Sequence, residues 1–319
     1  MNEIMLSIVI PTYNHEKYIA MALDSVLSQY IPYSFEVLVG EDCSKDQTKE
    51  ILKDYEKKYP GFFTVYYRNK NMYGSIPSNS LDLYLRTKGK YIITLEGDDY
   101  WIDNNKIRKQ LEFLEDHTEY IACAHNCLVV DENGNPRNVI YPECKNEVYT
   151  INDFKNKILP GQTATILYRN LYRNKEYNIS ILKKGLTPGD RLKIFVLLSY
   201  GKIYCMQEQM SAYRYVTKSG VSYSANYKYD YHKEIEWYRN LLEYSRNFDN
   251  KENQVAIEEM YFHESIRAWK KGQCSKMDIK RAFLFLNYKL RVTINLGTTI
   301  IYNRIKKLHK GDRDDFYKV

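Results

Sequence analysis

Short apolar runs alternate with amphipathic stretches over the first third of the chain. The runs are Leu6–Ile10, Phe35–Val39, Phe63–Tyr67 and Tyr91–Leu95. Runs of this length are typical of strands that are buried on both faces of a parallel sheet. Between them, apolar residues recur at helical spacing, as at Ile19, Leu23 and Val26. The alternation predicts an α/β fold with a mostly parallel sheet flanked by helices.

The pattern becomes less regular after residue 105. The predicted elements are a helix carrying Ile107, Leu111 and Leu114, a strand Tyr120–Val130 before a turn at Asn133–Gly134, a helix from Thr150 to Leu159, a strand Thr163–Tyr168, a helix from Asp190 to Tyr200, and strands Ile203–Met206 and Met210–Tyr215. From about Tyr227 the periodicity is helical to the end. We expect two halves of one domain, 1–105 and 106–225, and a helical extension, 226–319.

Composition indicates a globular protein with one basic segment. Hydrophobic residues make up 44% and charged residues 27% of the 319 residues, which is typical of a folded core. The net charge of +7 arises near the C-terminus, since Lys276–Lys310 holds nine Lys or Arg and one Asp. Because the basic patch is confined to this segment, we expect no nucleic-acid partner.

The six cysteines lack the paired spacing of a disulfide framework. No signal peptide precedes the first strand, and no run of about 20 apolar residues is present. We therefore expect a cytoplasmic protein with reduced thiols and no membrane-spanning helix. Cys123, His125 and Cys127 share one face of a predicted strand, but they offer only three ligands, and buried free Cys is common. We interpret them as core residues rather than as a metal site.

The strongest chemical signal is Glu96-Gly97-Asp98-Asp99, which follows a predicted strand. Carboxylates this close repel one another unless a cation binds between them. Mg²⁺ and Mn²⁺ prefer oxygen ligands, and substrate phosphates commonly complete the shell of one or two carboxylates. An ordinary acidic turn is the alternative interpretation.

Two further motifs follow strands. Pro11-Thr12-Tyr13-Asn14 comes after the first strand and Glu41-Asp42-Cys43-Ser44 after the second. Ligands of open α/β sheets lie beyond the carboxyl ends of the strands, so these motifs are expected beside the acidic one. The alternatives are a plain turn for the first motif and a helix start for the second, with Ser44 and Gln47 forming a capping box.

In this order, each after a strand, the three motifs resemble the signatures of family 2 glycosyltransferases over roughly Met5 to Ser222. The resemblance implies a GT-A type, Rossmann-like fold. It implies inverting transfer of a sugar from a nucleoside diphosphate sugar, with UDP-sugar favoured, to an acceptor hydroxyl, and Mn²⁺ or Mg²⁺ as cofactor. The first half would bind the donor. The second half would bind a glycan, preferably a lipid-linked intermediate of bacterial surface polysaccharide synthesis.

The resemblance also assigns residue roles. The donor nucleotide would be held by Pro11, Thr12, Tyr13, Asn14, Glu41, Asp42, Glu96, Gly97 and Arg214. Asp98 would be the metal ligand. The acceptor side would include Trp101, Gly161, Gln162 and Thr163. Glu41 and Glu96 are departures, since the family usually has Asp at both positions.

Asp190 is the candidate catalytic base. It lies in Pro188-Gly189-Asp190-Arg191, where the family carries a carboxylate before a helix. A carboxylate there could take the proton of the attacking hydroxyl, whereas the alternative is a simple helix cap. In the segment Tyr213–Val216, the His of the family pattern is replaced by Val216.

Two other function classes share some of these features. A sugar nucleotidylyltransferase would use the same sheet and metal carboxylates, but it should carry a Gly-rich phosphate loop, and Ile10–Ile19 contains no Gly. A non-catalytic module that binds nucleotide-sugar would need no Asp190. Hydrolysis of a UDP-sugar would distinguish the enzyme from the module.

The basic segment predicts peripheral binding to the inner face of the cell membrane. Apolar residues such as Phe283, Leu286 and Ile294 are interspersed with the charges of Lys276–Lys310, a composition that suits an anionic surface. Each basic residue near such a surface contributes about 1 kcal/mol, and the attraction decays over about 8–10 Å. We expect the full chain to sediment with phosphatidylserine vesicles at low salt and to be released as salt rises.

Truncation after Gln273 should abolish vesicle binding and leave UDP binding intact. The alternative is a segment that packs on the catalytic domain. That alternative holds if truncation unfolds the protein, or if the full chain does not bind vesicles at low salt.

Overall fold

The structure is a computed structural model that describes residues 3–139, 141, 144–215 and 230–273. The chain divides into two compact units, 1–215 and 216–319. Among the helices within the described ranges, none is long and apolar enough to cross a membrane. Val216 and the basic segment Lys276–Lys310 fall outside the described residues. The three-part division with boundaries at 105 and 225 stays a prediction.

The first unit is built on one sheet. Its described strands are β1 (Leu6–Thr12), β2 (Phe35–Glu41), β3 (Phe63–Tyr67), β4 (Tyr91–Thr94), β5 (Tyr100–Trp101), β6 (Tyr120–Val130), β7 (Val148–Tyr149), β8 (Leu167–Arg169) and β9 (Lys202–Arg214). The order is β3-β2-β1-β4-β8-β6-β9-β5, with β7 on β9. β8 is antiparallel to both β4 and β6, so β3, β2, β1, β4, β6 and β9 all run in one direction. The predicted α/β class with a mostly parallel sheet is confirmed.

Helices flank this sheet. In the first unit they are α1 (Ile19–Leu27), α2 (Thr48–Lys58), α3 (Asn79–Arg86), α4 (Lys106–Asp116), α5 (Ile151–Lys155) and α6 (Gly189–Leu198). Apolar side chains of β1, β4, α1 and α4 are fully buried in one core, for example Ile8, Leu23, Ile93 and Leu111. Burial of such side chains is the main favourable term in folding.

The start of α2 differs from the predicted capping box. The helix begins at Thr48, whose N–H donates to Oδ1 of Asp46 at 3.0 Å. The hydroxyl of Ser44 instead accepts the N–H of Asn14 at 3.0 Å, and Gln47 forms no side-chain cap. The capping-box prediction is therefore wrong, because Ser44 is used to join two loops.

Three other elements have different bounds from those expected. Thr150 caps a helix as predicted, but α5 ends at Lys155. The expected strand Thr163–Tyr168 begins as a 3₁₀ turn and becomes extended only in β8. The two strands expected at Ile203–Met206 and Met210–Tyr215 form one long strand, β9.

The parallel pair of β6 and β9 contains an irregularity. His125 pairs with Met206, whereas the next residue, Asn126, pairs with Gln209. β9 thus has extra residues at this point, and the register shifts again after Asn126. Bulges of this kind bend a strand and redirect its side chains.

The described part of the second unit consists of α7 (Tyr231–Ser245) and α8 (Lys251–Lys270). Asp230 and Asn250 cap these helices through side chains that accept backbone N–H groups. The two helices are in contact, and Nε of Arg239 donates to the Tyr261 hydroxyl at 3.4 Å. The helical prediction is confirmed for these residues.

Candidate functional site

The three sequence motifs meet at one edge of the sheet. β1, β2 and β4 are parallel neighbours, so their carboxyl ends lie side by side. The N–H of Asp42 donates to the Thr12 carbonyl at 3.0 Å, and the N–H of Gly97 donates to the Pro11 carbonyl at 3.1 Å. Short backbone hydrogen bonds therefore join all three motifs.

Gly97 is required by the close approach of the first and third motifs. A Cβ at this position would lie 2.6 Å from Oγ1 of Thr12 and 2.8 Å from Nδ1 of His15. Real Cβ atoms do not make such contacts, so a side chain would force the loops apart. Gly97 shapes the site by letting Thr12 and His15 lie against the acidic motif.

The first two motifs are interlocked by side chains. Oδ1 of Asn14 accepts the N–H of Lys45 at 2.8 Å, and Asn14 has a positive φ of 55°. The carboxylate of Glu41 is 1% exposed and accepts the N–H of Ser44 at 2.6 Å. These contacts give Asn14 and Glu41 a role in holding the loops, beside the donor contact predicted for them.

Asp42 and Tyr13, in the same region, differ in burial and in side-chain contacts. Asp42 is buried, and Oδ1 accepts the N–H of Met72 at 2.8 Å. Burial is the largest cause of its raised pKa. Tyr13 is half-buried, and no ring contact or hydrogen bond of its side chain occurs among the described residues.

Asp99 is the buried member of the acidic motif. It is 1% exposed, and its carboxylate accepts the N–H of Arg214 and Nε2 of Gln162, both at 2.8 Å. Burial, followed by the charges of Asp98 and Glu96, raises the pKa of Asp99 well above its usual value. This residue is therefore a structural acceptor at the base of the site.

Glu96 and Asp98 have environments that differ from each other. Burial, with the nearby charges of Asp98 and Asp190, raises the pKa of Glu96 to about 7. Nε2 of Gln162 also reaches Glu96, at 3.4 Å. The side chain of Asp98 is 32% exposed, so Asp98 is the carboxylate of the motif that is accessible to a ligand.

Asp190 lies in the first turn of α6 and is exposed. Its charge contributes to the raised pKa of Glu96. Lys193, one turn further along α6, is 7% exposed and lies over the rings of Tyr84 and Tyr168 at 5.4 and 5.3 Å. The positive charge of Lys193 lowers the pKa of Glu96 and partly offsets the repulsion among the carboxylates.

Arg214 is in the site, but its guanidinium is already engaged. Nε donates to the Asp98 carbonyl at 2.9 Å, and Nη1 donates to the carbonyls of Asp131 and Glu132 at 3.1 and 3.0 Å. The group also lies over the ring of Tyr18 at 4.4 Å. This geometry favours a positioning role for Arg214 over the predicted direct contact with the donor.

The acceptor-side residues separate into two groups. Trp101 is 3% exposed, and its indole N–H donates to the Ala164 carbonyl at 3.1 Å. The structure does not place it on an acceptor surface, because its ring belongs to the same buried core as Ala164. Gly161 is enclosed, since a Cβ there would lie 2.1 Å from Oγ1 of Thr165. Thr163 is half-buried, and Gln162 contacts the acidic motif.

His15 was missed as a site residue. Nε2 lies 3.8 Å from the Asp98 carboxylate, and Nδ1 lies 3.2 Å from Oγ1 of Thr12. Its backbone N–H donates to Oγ1 of Thr48 at 2.8 Å, which holds the loop in place. The available signal was its position directly after Asn14 in the first motif.

Side chains that could ligate a metal are not clustered in the part of the chain that the structure describes. No group of three or more His, Cys, Asp or Glu side chains that could hold a metal occurs among the described residues. Cys123, His125 and Cys127 are buried core residues, as interpreted from the sequence. The exposed carboxylate of Asp98 nevertheless fits Mg²⁺ or Mn²⁺, since these ions often take one or two protein carboxylates and fill the shell with substrate phosphates and water.

The family comparison agrees with the geometry. Residues 7–174 match the model described as Glycosyl transferase family 2. An uncharacterized protein of Mycobacterium tuberculosis is 36% identical over 129 residues, which are 40% of this chain and 37% of that relative. This chain therefore spans little more than a third of that relative's length.

Two further similarities cover a larger share of the chain. TuaG of Bacillus subtilis, named for teichuronic acid biosynthesis, is 29% identical over 225 residues, covering 67% of this chain and 81% of TuaG. The crystal structure of Staphylococcus aureus TarS 1–349 with UDP-GlcNAc has a TM-score of 0.62 at 19% identity. It covers 84% of this chain and 73% of that chain, which confirms the predicted GT-A fold.

The contacts of Gln162 generate a stability prediction. Gln162→Glu replaces the amide that donates to Asp99 with a third buried carboxylate. We expect the free energy of unfolding at pH 7.5 to fall by about 1–3 kcal/mol, the cost of a buried polar group left without its partner. Because the carboxyl pKa values are raised in the folded state, the loss is largest above those values and shrinks as protons bind at lower pH.

Thermal unfolding at pH 7.5 and pH 5.0 measures this difference. The exposed Gln47→Glu is the matched control, and we expect it to cause no loss. An equal loss for Gln162→Glu at the two pH values would show that charge repulsion is not the cause.

Proposed function

This chain belongs to glycosyl transferase family 2, and we propose that it transfers a sugar from a UDP-sugar to a hydroxyl of a bacterial surface polysaccharide. The observation that carries the proposal is the convergence of the three motifs at one sheet edge, where the carboxylate of Asp98 is accessible. The name of TuaG supports the polysaccharide, and the UDP-GlcNAc bound to TarS supports the nucleotide.

The donor would bind across the ends of β1 and β2. The half-buried ring of Tyr13 offers a stacking face for a base. Thr12 and Asp42 lie beside it and are joined by a backbone hydrogen bond, so their polar atoms suit the base and ribose. Pro11 and Gly97 supply the close backbone approach that forms the floor of this pocket.

Asp98 would hold a divalent ion, with His15 beside it. An Mn²⁺ or Mg²⁺ ion bound there would stabilise the negative charge that develops on the departing diphosphate. Glu96 and Gln162 would orient the donor sugar or the diphosphate from the buried side. Asp99 and Arg214 would keep the loop of Asp98 in position through their hydrogen bonds.

Asp190 would act as the general base. Its carboxylate takes the proton of the acceptor hydroxyl as the oxygen attacks the anomeric carbon. The bond from that carbon to the diphosphate oxygen breaks in the same displacement, so the configuration at the carbon inverts. Asp190 is exposed, which leaves room for an acceptor. The positive charge of Lys193 would partly offset the negative charge of the carboxylates.

The acceptor would be a glycan, and a lipid-linked intermediate is the preferred form. The proposal places the enzyme in the cytoplasm, at the inner face of the membrane, through the basic segment Lys276–Lys310. The sugar nucleotidylyltransferase remains the alternative enzyme. The absence of glycine from Ile10 to Ile19 argues against its phosphate loop.

A donor panel tests the proposed class. UDP-, GDP- and dTDP-sugars would be scored by thermal shift with Mn²⁺ and with EDTA, followed by assays of donor hydrolysis. We propose that a UDP-sugar stabilises the protein most and is slowly hydrolysed. Binding without hydrolysis would favour the non-catalytic module, and release of pyrophosphate from UTP with a sugar phosphate would favour the nucleotidylyltransferase.

Asp98→Asn should remove the effect of metal on nucleotide binding. We expect wild-type protein to bind UDP at least tenfold more tightly in Mn²⁺ than in EDTA, because the ion links the carboxylate to the phosphates. The variant should show similar affinity in both conditions. Isothermal titration measures this, and equal wild-type affinity in Mn²⁺ and EDTA would contradict a metal role.

Asp190→Asn should lower donor hydrolysis and transfer by about 10²–10⁴-fold, the usual contribution of a positioned base. UDP affinity should stay within twofold of wild type, because the base does not hold the nucleotide. Asp116→Asn, an exposed residue of α4, is the matched control and should react at the wild-type rate. A fully active Asp190→Asn would make Asp190 a structural residue.

A further inference from the structure

The imidazole of His15 lies beside the accessible carboxylate of the acidic motif. Nε2 of His15 is 3.8 Å from Oδ2 of Asp98, and the two side chains are 17% and 32% exposed. This distance is too long for a hydrogen bond from an imidazole N–H to a carboxylate, which spans about 2.7–3.2 Å. Neither Nε2 nor the Asp98 carboxylate has a hydrogen-bond partner within the described ranges. Both groups are therefore available to a ligand that lies between them.

The distance between these two atoms matches that between two ligands of one metal ion. Two ligand atoms that each lie about 2.1 Å from the same divalent ion are about 3.0 Å apart at a right angle and about 4.2 Å apart when they are opposite. The 3.8 Å between Nε2 and Oδ2 falls within this range. His15 and Asp98 are thus spaced to share one ion, although they are too far apart to bond to each other.

Thr12 provides the contact that orients the imidazole for this role. Nδ1 of His15 lies 3.2 Å from Oγ1 of Thr12, and Thr12 is 2% exposed. When Nδ1–H donates to this hydroxyl, Nε2 carries no proton and its lone pair is free to bind a metal. Histidines that bind metals commonly donate their other ring N–H to a fixed acceptor in this way.

The position of His15 is fixed by its backbone and by Gly97. The N–H of His15 donates to Oγ1 of Thr48 at 2.8 Å. Its carbonyl accepts the N–H groups of Tyr18 and Ile19 at 2.9 and 2.8 Å, directly before and at the start of α1. A Cβ at Gly97 would lie 2.8 Å from Nδ1, so the ring can approach the acidic motif only because Gly97 has no side chain. These contacts preorganise the imidazole beside Asp98.

We propose that His15 is a metal ligand together with Asp98, so that the chain holds the ion through one imidazole nitrogen and one carboxylate oxygen. The inference deepens the proposed glycosyltransferase function and rests on it for the donor phosphates that would complete the shell. Mg²⁺ prefers oxygen ligands, whereas the affinity of nitrogen-containing sites rises from Mn²⁺ to Co²⁺. The site should therefore bind Mn²⁺ and Co²⁺ more tightly than Mg²⁺.

Electron spin-echo envelope modulation of Mn²⁺ bound to the full chain, with and without UDP, detects the ligand directly. A nitrogen atom bonded to Mn²⁺ modulates the echo, so we expect the signal of a coordinated nitrogen in the wild-type protein. His15→Ala should lose this signal. The exposed His232→Ala is the matched control and should keep it. A wild-type spectrum without a coordinated nitrogen overturns the proposal, whether or not the His15 variant folds.

Isothermal titration of Mn²⁺ and Mg²⁺ into the UDP complex distinguishes a metal ligand from a positioning residue. His15→Ala should weaken Mn²⁺ binding by about tenfold or more and Mg²⁺ binding by less than about threefold. Equal weakening of both ions would mean that His15 only attracts or orients Asp98, which overturns the proposal. Neither measurement requires sugar transfer. A protein that shows the nitrogen signal but does not hydrolyse any UDP-sugar would therefore contradict the glycosyltransferase function and leave the metal ligand established.

Discussion

The buried carboxylate of Asp99 accepts hydrogen bonds from two distant parts of the chain, the N–H of Arg214 and the side-chain amide of Gln162. A buried carboxyl group that is left without hydrogen-bond partners costs about 1–3 kcal/mol, and these two hydrogen bonds remove that cost for Asp99. Folding therefore favours a geometry in which β9 and the loop of Gln162 close on the end of β4. That closure determines where the accessible Asp98 must lie.

The crowding around Gly97 has a complementary effect. Thr12 and His15 occupy the space that a side chain at Gly97 would need, so the first and third motifs are held within hydrogen-bond distance. The second motif is attached to the first through Asn14, Ser44 and Lys45. A nucleotide bound across these loops would find its contacts preorganised, which lowers the entropy cost of binding.

Part of this arrangement could be predicted from the sequence, because it follows from local patterns. Parallel strands put their carboxyl ends at one edge, so apolar runs followed by Thr12, Asp42 and Asp98 locate a site without tertiary information. The functions of Ser44, Trp101 and Arg214 depend on partners far along the chain, and local spacing carries no signal for them. Ser44 matches a cap by sequence, yet its hydroxyl is used by Asn14. Likewise, Trp101 follows the acidic motif, yet its N–H finds a carbonyl in the core.

Glu96, where the family usually has Asp, has contacts that differ from those of Asp98 and Asp99. A glutamate arm is one methylene longer than the Asp usual in the family, and it reaches Gln162 at 3.4 Å while remaining under the influence of Asp190 and Lys193. Since Gln162 also donates to Asp99, one amide couples two carboxyl groups of the motif. A shorter side chain at this position would lose reach toward this amide, which would then donate to Asp99 alone. The longer arm thus keeps the charge of the motif and holds it within reach of Gln162.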